Sequence, residues 1–547
     1  MSSRVVLWIL ILALAVGIGQ PLIALFASAF FEGGAQRFNE MIQSGSTWKV
    51  TSESAVLALL SVLCAGCVGV PIGIAAARIR RPGLFKASAI APLLTPAVLG
   101  TLAFWFVFGR GGLVQAAVPG YEGEFRGFGA VLMIHALTLP PAFALMTEAA
   151  LHRVDAAPYD AARTLGSSPF KAWIDAVLPQ IAPSVLAASV LVWMAAMGSL
   201  TAPFVFGTDR TLTTATVVLR QDDPRAASLL SLLVLVIAAV PLLLARRRHA
   251  AAKKGAAHRP QQLTRAARRG LLAIAAPLAV LVLLPLIATL VLSCFEDGRI
   301  RDGGLVEQMT IRHWREAFGG IGAGHGDGLA SSILRSLLFA AVATVVDVAF
   351  ALALVLASRR LAARWRVLLV GMASIPFAIP ATVLGIAMAD AFSAHGPLGI
   401  GPPLASTIAI LPLAYAVRNL PILVQATDSG LSMIPKGLED AAATLGSTPF
   451  QTLRWLIIPL LRPAILSGAT LAFAASTGEF VTSILLYEPT TKPAAIAIFE
   501  RFRSGSFGTA AAAGLLLTIA TFIPLAILGR WWRERSPRSP QTHATDP

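Results

Sequence analysis

The sequence predicts an all-α integral membrane protein of about twelve transmembrane helices, arranged as two homologous six-helix halves. Three observations carry this. The chain of 547 residues is 56% hydrophobic with only 13% charged residues, and its mean hydropathy of +0.73 is far above that of a soluble protein of this length. Its apolar runs are continuous rather than alternating, as helices in lipid require. A polar phrase, Asp160-Ala-Ala-Arg-Thr-Leu-Gly166-Ser-Ser-Pro169-Phe, returns as Asp440-Ala-Ala-Ala-Thr-Leu-Gly446-Ser-Thr-Pro449-Phe, an offset of 280 that also relates Pro141 to Pro421, Pro183 to Pro463 and Gly198 to Gly478. One unit is used twice.

Apolar runs of the roughly twenty residues needed to cross a bilayer lie near 5–29, 55–77, 84–109, 128–150, 185–206, 226–244, 270–293, 332–357, 367–393, 404–426, 465–487 and 510–530. The first, from Val5 to about Phe30, is too long for a signal core and lacks a small-x-small cleavage site, so it reads as a span. The chain divides into a first half, 1–244, a basic linker, 245–269, a second half, 270–530, and a tail, 531–547.

Orientation follows from Lys and Arg. Arg78, Arg80, Arg81 and Lys86 lie between spans two and three, and Arg359, Arg360, Arg364 and Arg366 take the matching place in the second half. The linker carries Arg246, Arg247, Arg248, Lys253, Lys254, Arg259, Arg265, Arg268 and Arg269 with no acidic residue, and Arg530, Arg533, Arg535 and Arg538 follow the last span. These segments and both termini are expected in the cytoplasm, and counting spans puts both repeated phrases there too. The linker reads as a tether that also anchors to anionic lipid. Segments of mixed charge around 31–52, 110–126, 207–225, 294–330 and 488–508 are expected to meet a partner on the opposite face. The net charge of +16 is thus explained by topology. Nucleic acid is excluded as a partner, since no basic face with interleaved aromatics occurs.

Each repeated phrase predicts a short helix, a left-handed stop at Gly166 or Gly446, and a second helix capped by Ser168 or Thr448 with Pro169 or Pro449 at its first position. Leu178-Pro179 and Ile458-Pro459 are expected to end that second piece. In span three, Pro92-x-x-x-Pro96-Ala-Val-Leu-Gly100 matches Pro376-x-x-x-Pro380-Ala-Thr-Val-Leu-Gly385 in span nine. Such proline pairs must break the helix, either as packing kinks inside the bundle or beside a cavity.

Intramembrane polar groups are few: His135 in span four, Asp347 in span eight and Glu479 in span eleven. Such groups are costly in lipid and tend to face a path or a partner, or hold helices together. Glu479 matches Ser199 at the 280 offset, so a path between the halves would be chemically asymmetric. Cys64, Cys67 and Cys294 cannot make a disulfide framework, and Cys64 and Cys67, one helical turn apart, suit packing better than metal binding.

The pattern of an acidic residue, two alanines, three residues, glycine and then an apolar-Pro pair resembles the "EAA" loop of permease subunits of binding-protein-dependent ABC importers. The resemblance covers nearly the whole chain and implies the type I importer permease fold. It implies that Asp160, Ala161, Ala162 and Gly166, with Glu439, Asp440, Ala441, Ala442 and Gly446, couple to the ATPase, in loops of about 156–180 and 436–460. Asp replaces the usual Glu in both copies, and the carboxylate is kept. The implied partners are two ABC ATPase subunits, which would carry ATP and Mg, a periplasmic solute-binding protein and membrane lipid. Glu479, Ser199, Pro96 and Pro380 are the expected residues of the transport path.

No phosphate loop, H-E-x-x-H or G-x-S-x-G motif occurs, so no cofactor, metal or catalytic residue is assigned and ATP hydrolysis is expected on a separate subunit. A secondary transporter also uses two six-helix halves, but its usual Asp-bearing motif between spans two and three is absent from Gly73-Ile-Ala-Ala-Ala-Arg78-Ile-Arg-Arg81-Pro-Gly83. A receptor or scaffold would explain neither repeat. The fused layout resembles iron(III), thiamine and aminoethylphosphonate permeases, with polyamine permeases a further alternative. Gly478-Glu-Phe-Val-Thr-Ser-Ile-Leu-Leu-Tyr487 looks most like the iron(III) group.

Overall fold

The computed structural model describes residues 3–31, 34–110, 112–118, 120–122, 124–207, 211–246, 264–296, 308–319, 328–359, 361–393 and 403–535. Most of the linker and the end of the tail lie outside them. Each of the twelve apolar runs lies on helix, and the described residues hold no strand beyond an isolated bridge between Phe295 and Met309. Among them, 9 helices are long and apolar enough to cross a membrane, or 10 when Ala363–Ala378 and Ala381–Ala391, bent by 104°, count as one span. The tenth run forms Ile410–Ser432, made less apolar by Arg418 and Asn419. Gly83–Leu94 and Phe507–Ile523 are shorter apolar helices.

Spans three, five, nine and eleven are broken, at matching places in the two halves. Pro96 precedes Ala97–Phe108 and Pro380 precedes Ala381–Ala391, and the residues before these prolines, Thr95 and Ile379, are extended. Pro92 instead sits inside Gly83–Leu94, so the second proline of that pair makes the break. Spans five and eleven stop at Gly198 and Gly478 and restart as Thr201–Val205 and Val481–Leu486. Glu479 and Ser199 therefore occupy helix breaks, not the helical interior that the apolar runs suggest.

The expectation that Leu178-Pro179 and Ile458-Pro459 end a helix is corrected. Helix continues to Met197 and Thr477, because a π turn precedes each proline, at Trp173–Val177 and Leu453–Ile457. The wider turn absorbs the missing amide donor without a stop.

The halves exchange their first helices. The first span packs on Leu329–Ser358 and Ala381–Ala391 of the second half, and Arg265–Leu292 packs on Gly45–Arg78, Gly83–Leu94 and Ala97–Phe108 of the first. Leu14, Leu25 and Ala29 share a core with Phe339, Met388 and Tyr415, and Ala275, Ala279 and Val282 share one with Phe85, Phe104 and Ile134. Away from the elbows, Arg220 Nη2 of the first half meets Asp390 Oδ1 of the second at 2.5 Å, and Ser228 Oγ donates to Asp390 Oδ2 at 3.3 Å.

Candidate functional site

The two elbows are built alike. Ala157–Thr164 and Lys436–Thr444 are short helices that end at glycines with φ of +87° at Gly166 and +82° at Gly446. The left-handed glycine lets the chain turn back on the helix end. Ser167 N donates to Ala162 O and Gly166 N to Arg163 O, at 3.0 and 3.1 Å, while Ser447 N donates to Ala442 O and Gly446 N to Ala443 O, both at 3.0 Å. Ala161 O accepts from Leu165 N and Thr164 Oγ1, and Ala441 O from Leu445 N and Thr444 Oγ1. The alanines thus supply the carbonyls that close each elbow. Ser168 and Thr448 cap the following helices by accepting from Lys171 N and Gln451 N at 3.2 and 3.3 Å.

Asp160 and Asp440 are exposed on this surface. So are large apolar side chains that the sequence reading passed over: Leu165 and Leu445 are 87% and 89% exposed, beside Phe170 and Phe450. Leucines placed at a glycine-fixed turn and left in water on both copies mark a surface made to be covered. Glu439 behaves differently from its neighbours. Its Oε1 lies 2.5 Å from Arg359 Nη1, so it ties the second elbow to the loop between spans eight and nine. Lys86 pairs with Glu148 at 3.2 Å and Arg366 with Asp428 at 2.5 Å, two bridges related by the same 280 offset. The basic loops and the elbows therefore share one side.

The second feature is the seam between the halves, where Pro96, Pro380, Ser199 and Glu479 come together. A Cβ on Gly478 would stand 2.6 Å from Pro96 Cα, and one on Gly198 would stand 2.9 Å from Pro380 Cβ. Each half's glycine break meets the other half's proline break. Beside this contact lie two cavities of 460 and 450 Å³, both lined by Ser199, Thr138, Arg418 and Asn419. Pro96 and Glu479 line the first and Pro380 the second.

Chemistry at matched positions differs. Glu479 Oε1 accepts from Thr482 N at 3.0 Å and Thr482 Oγ1 at 2.7 Å, and its Oε2 lies 2.9 Å from Arg418 Nε. Ser199 Oγ lies 2.9 Å from His135 Nε2, and His135 Nδ1 is 2.9 Å from Ser61 Oγ. Tyr415, which matches His135, meets Ser483 Oγ at 2.6 Å. Arg418 was missed in the sequence because its run looked apolar, although its matched residue, Thr138, shows the same change of character as Ser199 to Glu479. Asp347 is buried with Oδ2 unpartnered and lies apart from both cavities. Among the described residues, no group of three or more His, Cys, Asp or Glu could hold a metal ion.

Two exchanged helical halves, a polar seam and paired exposed elbows define a membrane transport permease. The profile of the binding-protein-dependent transport system inner membrane component matches residues 69–251 and 349–536, and the chain belongs to this family. It is a multi-pass inner-membrane permease of the ABC transporter type, and membership implies an ATPase and a solute-binding protein as partners. The chain is 26% identical to a probable ABC transporter permease, y4fN, of Sinorhizobium fredii, over 82% of this chain and 81% of that one. It is 22% identical to the ferric transport system permease protein FbpB of Actinobacillus pleuropneumoniae, over 91% and 74% of the two chains. It is 29% identical to the sulfate transport system permease protein CysT of Salmonella typhimurium, over 35% of this chain and 72% of that one.

Proposed function

We propose that this chain supplies both permease halves of an ATP-driven importer of iron(III). In this reading, two ATPase subunits, which hold the ATP and Mg, grip the elbows at Leu165 and Leu445. A solute-binding protein delivers cargo to the opposite face, and both termini lie in the cytoplasm with the elbows. Closure of the ATPase pair draws the elbows together. The glycine–proline contacts of the seam then act as the pivot about which the halves rock, and the cavities open to alternate sides. The basic loops on the elbow side support this orientation.

The observation that carries the iron(III) reading is the extent of the likeness. The ferric permease shares the two-half layout and matches 91% of this chain, whereas the sulfate permease, matched over 72% of its own shorter length, covers 35% of this chain. The test is ATP-dependent uptake of 55Fe(III) by membranes carrying this chain with its ATPase and binding protein. Uptake that unlabelled sulfate, thiamine and aminoethylphosphonate fail to compete supports iron, and competition by any one of them reassigns the cargo.

A further inference from the structure

We infer that Arg418 is the cargo-contacting residue of the path and that it receives an oxyanion group, carried by a free oxyanion or by an oxyanion ligand of a metal ion. The inference rests on the permease reading and adds the chemistry of what passes.

Among the described residues, Arg418 is the only Lys or Arg lining either cavity. Glu479 occupies its Nε side at 2.9 Å, and among the described residues no hydrogen bond takes up Nη1 or Nη2. A guanidinium held along one edge presents its other donors as a planar fork, the geometry that matches two oxygens of a carboxylate, sulfate or phosphate. Among the described residues the lining of the 450 Å³ cavity contains no carboxylate. The Thr138 hydroxyl donates to Ile134 O at 2.7 Å, Asn419 Nδ2 to Ser476 Oγ at 2.9 Å, and Ser199 Oγ lies 2.9 Å from His135 Nε2, so Arg418 brings the larger share of open donors.

A bare cation finds less there. Among the described residues Glu479 is the one carboxylate of the two linings, and both its oxygens are engaged, one by Thr482 and one by Arg418. A hard cation needs several oxygen ligands. What the wall offers is the Nη1 and Nη2 edge of Arg418, with Glu479 held on the Nε edge, so the contact falls on the anionic part of the cargo. Glu479 is the positioning residue that holds the fork toward the cavity. Thr138, at the position matching Arg418, supplies no charge, so the anion is met from the second half alone.

The test uses the full chain with Cys64, Cys67 and Cys294 replaced by Ala and with Ser199→Cys as a reporter in both cavities. Its rate of modification is measured with a sulfonate-bearing methanethiosulfonate (MTSES), a trimethylammonium one (MTSET) and the neutral methyl reagent. Relative to their rates with a small free thiol, the sulfonate reagent should be favoured over the ammonium reagent several-fold, because the Nη edge of Arg418 is open to the cavity while Glu479 takes its Nε edge. The preference should disappear in Arg418→Gln/Glu479→Gln, in which no charge is stranded, and persist in Arg418→Lys. The neutral reagent reports whether each variant keeps an open, folded cavity. An equal preference in the double variant, or none in the parent, overturns the assignment. Uptake of 55Fe(III)-citrate against 35S-sulfate by the parent separates a liganded metal from a free oxyanion. Uptake of neither removes the cargo reading while the thiol rates still decide the role of Arg418.

Discussion

Arg418 Nε lies 2.9 Å from Glu479 Oε2, and the positions matching this pair 280 residues earlier are two hydroxyl residues, Thr138 and Ser199. Removing one member of such a pair strands the other charge. The loss is about 3–5 kcal/mol for a fully buried pair and is expected to be smaller here because Arg418 keeps 31% of its side chain exposed. Glu479→Gln and Arg418→Gln should each lower the thermal stability of the purified chain more than the double variant does. Thermal denaturation of the four proteins checks this, and additive losses would show that the pair is not coupled.

The seam should not accept a methyl group. A Cβ on Gly478 would press on the Pro96 backbone at 2.6 Å, whereas one on Gly371 would meet nothing within 4 Å. Overpacking of this kind costs about 1–3 kcal/mol. Gly478→Ala should therefore slow uptake at unchanged membrane insertion, and Gly371→Ala should leave it near the parental rate.

The exposed leucines should carry docking. Covering a Leu side chain is worth about 1.5–3 kcal/mol, so Leu165→Asp and Leu445→Asp should each weaken retention of the ATPase by tenfold or more. Copurification with the tagged permease reads this directly, and full retention in the combined variant would place the ATPase elsewhere.

Exchange of first helices predicts how the chain can be cut. Halves separated near Gly255 should assemble, because the first span is packed on the second half and Arg265–Leu292 on the first. Deleting residues 1–30 should then destabilise the second half, which loses Leu14 and Leu25 from its core. Limited proteolysis of the two preparations would reveal this. A second half equally resistant with and without residues 1–30 would count against the exchanged packing.

Much of this was legible in the residues. Hydropathy located the helices, and the 280 offset exposed the duplication, the glycine stops and the proline breaks, because these depend on local backbone chemistry. Long-range placement was not legible. The tie from Glu439 to Arg359, the capture of Glu479 by Arg418 and the contacts of Gly198 with Pro380 and of Gly478 with Pro96 all join segments that only tertiary packing brings together. The continuation of helix past Pro179 and Pro459 was missed for a local reason, since a π turn leaves no simple signature in composition.

The elbows bear the central claim, because their shape hangs on two glycines. A Cβ at Gly166 or Gly446 meets nothing within 4 Å, so a substitution acts through the left-handed backbone alone, at about 1–2 kcal/mol per residue. The β-branched Gly166→Val with Gly446→Val should distort both turns and leave the spans intact. The decisive measurement is ATP-driven uptake of 55Fe(III) into proteoliposomes containing this double variant, the ATPase and the binding protein. Loss of uptake, with the variant inserted at parental levels, is the predicted result. Uptake and substrate-stimulated ATP hydrolysis at the parental rate would contradict a coupling role for the elbows.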